Sequence, residues 1–164
     1  MKNLIFIIAT LFSVWGKAQE NSFTIIGKTN VNTFKCINKN FDTPNSFGAI
    51  NPNKIIINVV DFNCKSEYIT RDFRKTLSAD KFPQIHVNFG KFKKNTNGSY
   101  TAITEVKLMN RVRNYTIELF ENGNIITAKQ TVKFSDFGIT PPKKMGGMIV
   151  VKDELDLYFS LYKD

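Results

Sequence analysis

The chain has 164 residues, a formal net charge of +9 at pH 7, two cysteines and one histidine. That length fits a single domain with a real core. One histidine beside two cysteines is a poor metal-ligand set, and no nucleophile motif accompanies the histidine, so a His/Cys metal site and Ser/Cys hydrolase chemistry find little support.

Residues 1–18 read as an export signal peptide. Met1-Lys2-Asn3 is a short basic start, Leu4–Trp15 is an almost unbroken apolar run, and Gly16-Lys17-Ala18 sets small residues at a cleavage site before Gln19. The apolar run is shorter than the ~20 residues that span a bilayer. No cysteine lies at the cleavage point, so a lipid-modified N-terminus is not expected. A periplasmic or secreted location follows, with residues 19–164 as the folded domain. Cleavage lowers the charge by two and removes Trp15, yet it leaves thirteen of the fifteen phenylalanines and all five tyrosines. So much aromatic area in a small domain has something large to fill or something apolar to hold.

The first elements after the leader are two alternating stretches, Ser22–Asn30 and Thr33–Lys39, which form a hairpin. Residues 41–53 are rich in Asn, Pro, Gly and Ser and form a loop. Lys54–Phe62 is nearly continuous apolar sequence, a strand covered on both faces. The short helix-compatible segment Ile69–Leu77 is the cover for one of them. In an oxidising compartment Cys36 and Cys64 form a disulfide by default, worth roughly 3–4 kcal/mol in the chain-entropy model. The other reading is a pair of buried free thiols.

Pro83 forbids helix continuation and launches a strand with Ile85, Val87 and Phe89 on one face and His86 and Asn88 on the other. Residues 93–98 are a turn. Tyr100–Met109 and Arg113–Glu121 alternate next, and Asn122-Gly123 signals a hairpin to Ile125–Phe134. The loop 136–147 leads to a closing strand with Leu155, Leu157, Phe159 and Leu161 on one face. Its Asp136-Phe137-Gly138 is a turn. The result is an all-β domain of eight antiparallel strands with one short helix, a number that can close into a barrel.

The inward positions of these strands are the candidate lining of an interior cavity: Phe34, Val87, Phe89, Tyr100, Ala102, Thr104, Val106, Leu108, Ile117, Leu119, Ala128, Gln130, Val132, Phe134, Leu157 and Phe159. From the residues alone such stripes more often pack into a dry core than enclose a tunnel. Thr104 and Gln130 either hydrogen-bond a ligand headgroup or satisfy each other. His86 reads as a structural or surface histidine. Asp72, Arg71 and Arg74 make ion pairs or cap the helix. Lys91, Lys93, Lys94, Lys143 and Lys144 either stay solvated or dock the protein against anionic lipid.

Three blocks of sequence carry a family resemblance. Arg71-Asp72-Phe73, Leu77 and Asp80-Lys81-Phe82-Pro83 with Ile85 and Phe89 resemble the RDxxL…xKYPxIxF block of YceI-like proteins. Gly98 and Tyr100, then Leu108, Val112, Thr116 and Ile117, resemble that family's central strand pair. Phe134-Ser135-Asp136-Phe137-Gly138-Ile139, followed by Val150–Leu161 with Asp153, is similar to its closing strands. Where the family usually has Gly-Val-Thr-Lys, this chain has Asn110-Arg111-Val112-Arg113-Asn114; Asn tolerates positive φ, so the turn survives the change.

The resemblance implies a lipocalin-like antiparallel barrel whose interior holds a long apolar molecule, a polyisoprenoid or a fatty-acid derivative. It implies no cofactor and no catalysed reaction. Partners would be that lipid, a membrane surface and, by family analogy, a second copy of the chain, with no nucleic acid. The competing expectation is a ligand-free envelope or stress protein that binds an anionic partner through its basic surface.

Overall fold

The computed structural model describes residues 20–42 and 54–162. Their chain order is β1 (Ser22–Thr29), β2 (Thr33–Asn38), β3 (Phe41–Asp42), β4 (Lys54–Asn58), α1 (Glu67–Thr76), β5 (Gln84–Phe89), β6 (Lys93–Lys94), β7 (Tyr100–Leu108), β8 (Arg111–Asn122), β9 (Ile125–Lys133), β10 (Lys143–Lys144) and β11 (Ile149–Tyr162). Short 3₁₀ turns occupy Val59–Asp61, Ser135–Phe137 and Met145–Gly147. The expected leader and most of the expected 41–53 loop lie outside the described residues.

All paired strands are antiparallel, in the order β2-β1-β11-β9-β8-β7-β5-β4-β3. β3 begins shortly after β2 ends, so the two ends of this order are one stretch of chain and the sheet closes on itself. Three contacts fasten the seam. Phe41 pairs with Ile57. Asn38 Nδ2 donates to the Asn58 carbonyl at 2.9 Å. Ile37 and Asn63 exchange both backbone hydrogen bonds. Cys36 and Cys64 form a disulfide beside that bridge. The curled sheet thus covers much of what an open edge would expose. Among the described residues, however, β2 has only the Ile37–Asn63 pair of backbone hydrogen bonds across the seam, and β8 pairs with β9 only over Leu119–Asn122.

Alternation sets the faces. Along β7, Ala102, Thr104, Val106 and Leu108 are buried while Ile103 is exposed, and Ile117 and Leu119 do the same on β8. Each strand presents every second residue to the lumen because the side-chain period is two. The Met109–Asn110 turn between β7 and β8 puts both residues at positive φ, 48° and 61°. Asn110 thus takes the backbone that the family's glycine would.

Several elements depart from the sequence expectation, and the short strands β6 and β10 fall inside the expected 93–98 turn and 136–147 loop. The apolar run Lys54–Phe62 is not one strand. It leaves the sheet at Asn58, where Asn58 Nδ2 donates to Asp61 Oδ2 at 3.1 Å and the Val59 N–H bonds the Pro83 carbonyl. Val59 and Phe62 stay buried but Val60 is exposed. The β8–β9 hairpin turns on Gly123-Asn124, one residue later than the Asn-Gly signal, with Gly123 at φ 58°. The helix starts two residues before the expected Ile69, and its Phe73, together with Leu77 just beyond it, faces the barrel.

Candidate functional site

Aromatic packing fills the middle of the lumen. Phe23 stacks on Phe159 with centroids 4.3 Å apart, Phe159 meets Phe89 edge-on, and Phe62 joins Phe23 to Phe73 of α1. An apolar cavity lies at the barrel end where β7 and β9 finish and β5, β8 and β11 begin. It is slender: about 40 Å³ is open to the centre of a water-sized sphere. A single water needs ~10–15 Å³ by that measure. Apart from Gln130 and Lys133, every lining residue is apolar.

Nine of the sixteen sequence candidates line this cavity. Val87, Val106, Leu108 and Ile117 form one side; Gln130, Val132, Phe134, Leu157 and Phe159 form the other. Ala102, Thr104, Leu119, Ala128 and Phe89 are buried but lie outside its lining, and Tyr100 and Phe34 are only partly buried. Phe34 is pressed over Gly27, where a Cβ would come within 2.1 Å of its ring. This cavity therefore takes in only part of the stripe, with Phe23 and Phe159 in its wall.

The roof residues are missing from the candidate lining, although the Ile69–Leu77 segment is expected as a cover. Phe73 and Leu77 come from α1 and the residue after it, and Phe137 and Ile139 from the loop after β9. The first pair had a helical signal in its i, i+4 spacing; the second sits in a loop with no periodicity. Phe23, Ile25, Ile85 and Leu155 complete the wall and were legible as strand alternation.

The loop is held by polar groups of its own and of neighbouring strands. Asp136 Oδ2 accepts hydrogen bonds from the Tyr115 hydroxyl at 2.9 Å and the Lys133 N–H at 3.1 Å. Asp153 accepts from the Ser135 N–H and hydroxyl, and those bonds hold its carboxyl below the usual carboxylate range. Gly138 sits at φ 70°, and a Cβ there would lie 2.6 Å from Arg111 Nε. Between these ties Phe134, Phe137 and Ile139 are all buried. Burial and the bond to Asp136 push the Tyr115 phenol far above its ordinary pKa.

The polar candidates resolve individually. Thr104 is fully buried and its hydroxyl has no hydrogen-bond partner among the described residues. Gln130 Nε2 donates to the Thr131 carbonyl instead, so Thr104 and Gln130 do not satisfy each other. Asp72 pairs with Lys144 at 2.8 Å, Arg74 Nη2 donates to the Phe62 carbonyl, and Arg71 stacks over Tyr68. His86 lies on the outer face between Ile56 and Lys107. Among the described residues no group of three or more His, Cys, Asp or Glu could hold a metal.

The curled antiparallel sheet with an apolar interior roofed by side chains defines an all-β protein of the barrel class, a shape whose interior is either filled by side chains or holds one small molecule. The YceI-like domain model matches residues 15–162, and the chain belongs to that family. Solved structures share the fold. Burkholderia cenocepacia BcnA superposes with a TM-score of 0.72 at 16% identity, over 88% of this chain and 96% of that one. A polyisoprenoid binding domain from Saccharophagus degradans gives 0.63 at 9% identity, over 87% and 92%. Campylobacter jejuni YCEI protein gives 0.56 at 12% identity, over 82% of each chain. No curated protein matches the chain.

Proposed function

We propose that this protein is an exported carrier or store for a long apolar lipid, an isoprenoid or a fatty-acid derivative, and that it catalyses no reaction. The observation that carries the proposal is the apolar cavity between the barrel wall and the roof made by Phe73, Leu77, Phe137 and Ile139. The family supports it, and so does a structural neighbour described as a polyisoprenoid binding domain. The leader-like first eighteen residues and the paired cysteines support export, since disulfides persist in oxidising compartments.

Burying ~15 carbons at ~0.8 kcal/mol each supplies more than ~10 kcal/mol gross. Ordering the flexible chain offsets much of that, but useful affinity remains without any charged contact. The cavity is too small for such a chain as it stands, so uptake displaces the roof or the Phe23–Phe159 stack.

Organic extraction and mass spectrometry of protein purified from its producing cells test the proposal. One lipid per chain is the expected result. Protein that is consistently lipid-free would favour the ligand-free reading, in which the basic surface binds an anionic partner.

A further inference from the structure

The hairpin that joins β10 to β11 carries apolar side chains into open solvent. Lys143 pairs with Val150 and Lys144 with Ile149, so residues 145–148 form its tip. Met145 and Met148 are 70% and 72% exposed. Gly146 and Gly147 lie between them with left-handed φ, and a Cβ on either would meet nothing within 4 Å. Beside this tip stands the β1–β2 turn, tied to it by Asn30 Nδ2 donating to the Met148 carbonyl and the Val150 N–H donating to Asn30 Oδ1. Its Val31 is 64% exposed. Three large apolar side chains thus protrude from two turns that are hydrogen-bonded together.

Cations flank them. Lys143 and Lys152 are exposed, and no carboxylate pairs with either among the described residues. Of the nearby carboxylates, Asp153 is held by Ser135 and Asp72 by Lys144, while Glu154 is exposed and stands opposite Lys133 across the sheet. Protruding methionine and valine between lysines fit the boundary of a bilayer, where side chains enter the acyl region and ammonium groups meet anionic headgroups. A purely acidic protein or polymer would use the lysines and leave the apolar tip without a role.

We propose that Val31, Met145 and Met148, with Lys143 and Lys152, form a foot that docks this protein on an anionic phospholipid bilayer. The foot stands at the barrel end that holds the cavity. The ion pair from Lys144 to Asp72 ties it to α1, which roofs that cavity. Docking therefore brings the roofed end of the lumen to the membrane; that consequence alone rests on the lipid-carrier reading.

Co-sedimentation with vesicles tests the foot directly. Two compositions suffice: phosphatidylcholine alone, and an equal mixture with phosphatidylglycerol, both without isoprenoid. Wild-type protein should pellet with the mixture and stay soluble with phosphatidylcholine. Lys143→Gln and Lys152→Gln should each weaken binding about fivefold. The pair Met145→Ser and Met148→Ser, which leaves the charge unchanged, should weaken it about tenfold or more. The leucine pair at the same positions should bind like wild type and controls for folding. Unchanged binding by the serine pair would overturn the proposal in favour of a polyanion held by lysines alone. Failure of wild type to pellet with the anionic mixture at low salt would also overturn it. Because no cargo is present, a negative result leaves lipid carriage standing, and lipid-free protein leaves docking measurable.

Discussion

The Tyr115 hydroxyl donates to Asp136 Oδ2 across 2.9 Å, and that bond ties the middle of β8 to the loop that roofs the cavity. The carboxylate simultaneously takes the Lys133 N–H, so one side chain fixes the loop to two strands. Turning Asp136 outward turns its neighbour Phe137 inward. Tyr115→Phe should destabilise the protein by about 1–2 kcal/mol, read as a lower urea midpoint, and should speed amide exchange at Phe137 and Ile139. An unchanged exchange rate there would show that the roof does not depend on this bond.

The same pair sets an alkaline limit. Burial, followed by the bond to Asp136, raises the Tyr115 phenol well above its ordinary 10.0. Above pH 10 the unfolded chain therefore loses this proton while the folded chain keeps it. The contribution is complete below the ordinary phenol value and is lost as pH rises through the folded one. Stability against pH should fall more gently on the alkaline side in Tyr115→Phe than in wild type, measured by urea unfolding at successive pH values.

The barrel's seam depends on the disulfide. Between β2 and the turn after β4 the described backbone exchanges a single pair of hydrogen bonds, Ile37 with Asn63, and Cys36–Cys64 lies next to it with a sequence separation of 28. Reduction, or Cys36→Ser with Cys64→Ser, should cost roughly 3–4 kcal/mol by the loop-entropy model. Denaturant midpoints with and without reductant would show it. Indifference to reductant would mean the seam holds by packing of Phe62 and Ile57 alone.

How far the sequence discloses this arrangement differs by element. The buried faces of β7, β9 and β11 are legible because alternation at Ala102–Leu108, Ile126–Val132 and Leu155–Leu161 has one period and one meaning. Lys54–Phe62 is not, since an apolar run reads alike whether it continues as strand or turns at Asn58; the Val59–Pro83 hydrogen bond that decides it joins distant residues. The roof is least visible. Phe137 and Ile139 lie in a segment whose local pattern is that of a loop, and the bond that fastens it, Tyr115 to Asp136, comes from a distant strand. Nor could periodicity show that Phe23 and Phe89 both meet Phe159 inside the sheet.

His86 offers a local check on the outer face of β5. Partial burial comes first, then Lys54 and Lys107 on the flanking strands, and all three hold its pKa below the usual 6.5. The unfolded chain thus gains a proton before the folded one as pH falls. The stability this neutral imidazole contributes is present above 6.5 and is lost as pH drops through the folded value. NMR titration of its ring protons should give a midpoint below 6.5, and Lys107→Gln should raise it. A midpoint at or above 6.5 would place the ring away from these lysines.

Phe137 tests whether the roof is the way in. Its ring is buried against the cavity, so Phe137→Ala should cost about 3–5 kcal/mol and enlarge the open space beneath α1. If the lipid enters beneath this loop, the variant should also take up a fluorescent fatty acid faster than wild type. Destabilisation by itself loosens a barrel, so the comparison needs a variant of similar cost elsewhere. Ile126→Ala serves: Ile126 is buried on β9 at the opposite end and does not line the cavity, and its truncation costs ~2–5 kcal/mol. Faster uptake in Phe137→Ala but not in Ile126→Ala would locate the entrance at the roof. Equal acceleration in both would mean that general loosening admits the chain and that the Tyr115–Asp136 tie is structural only.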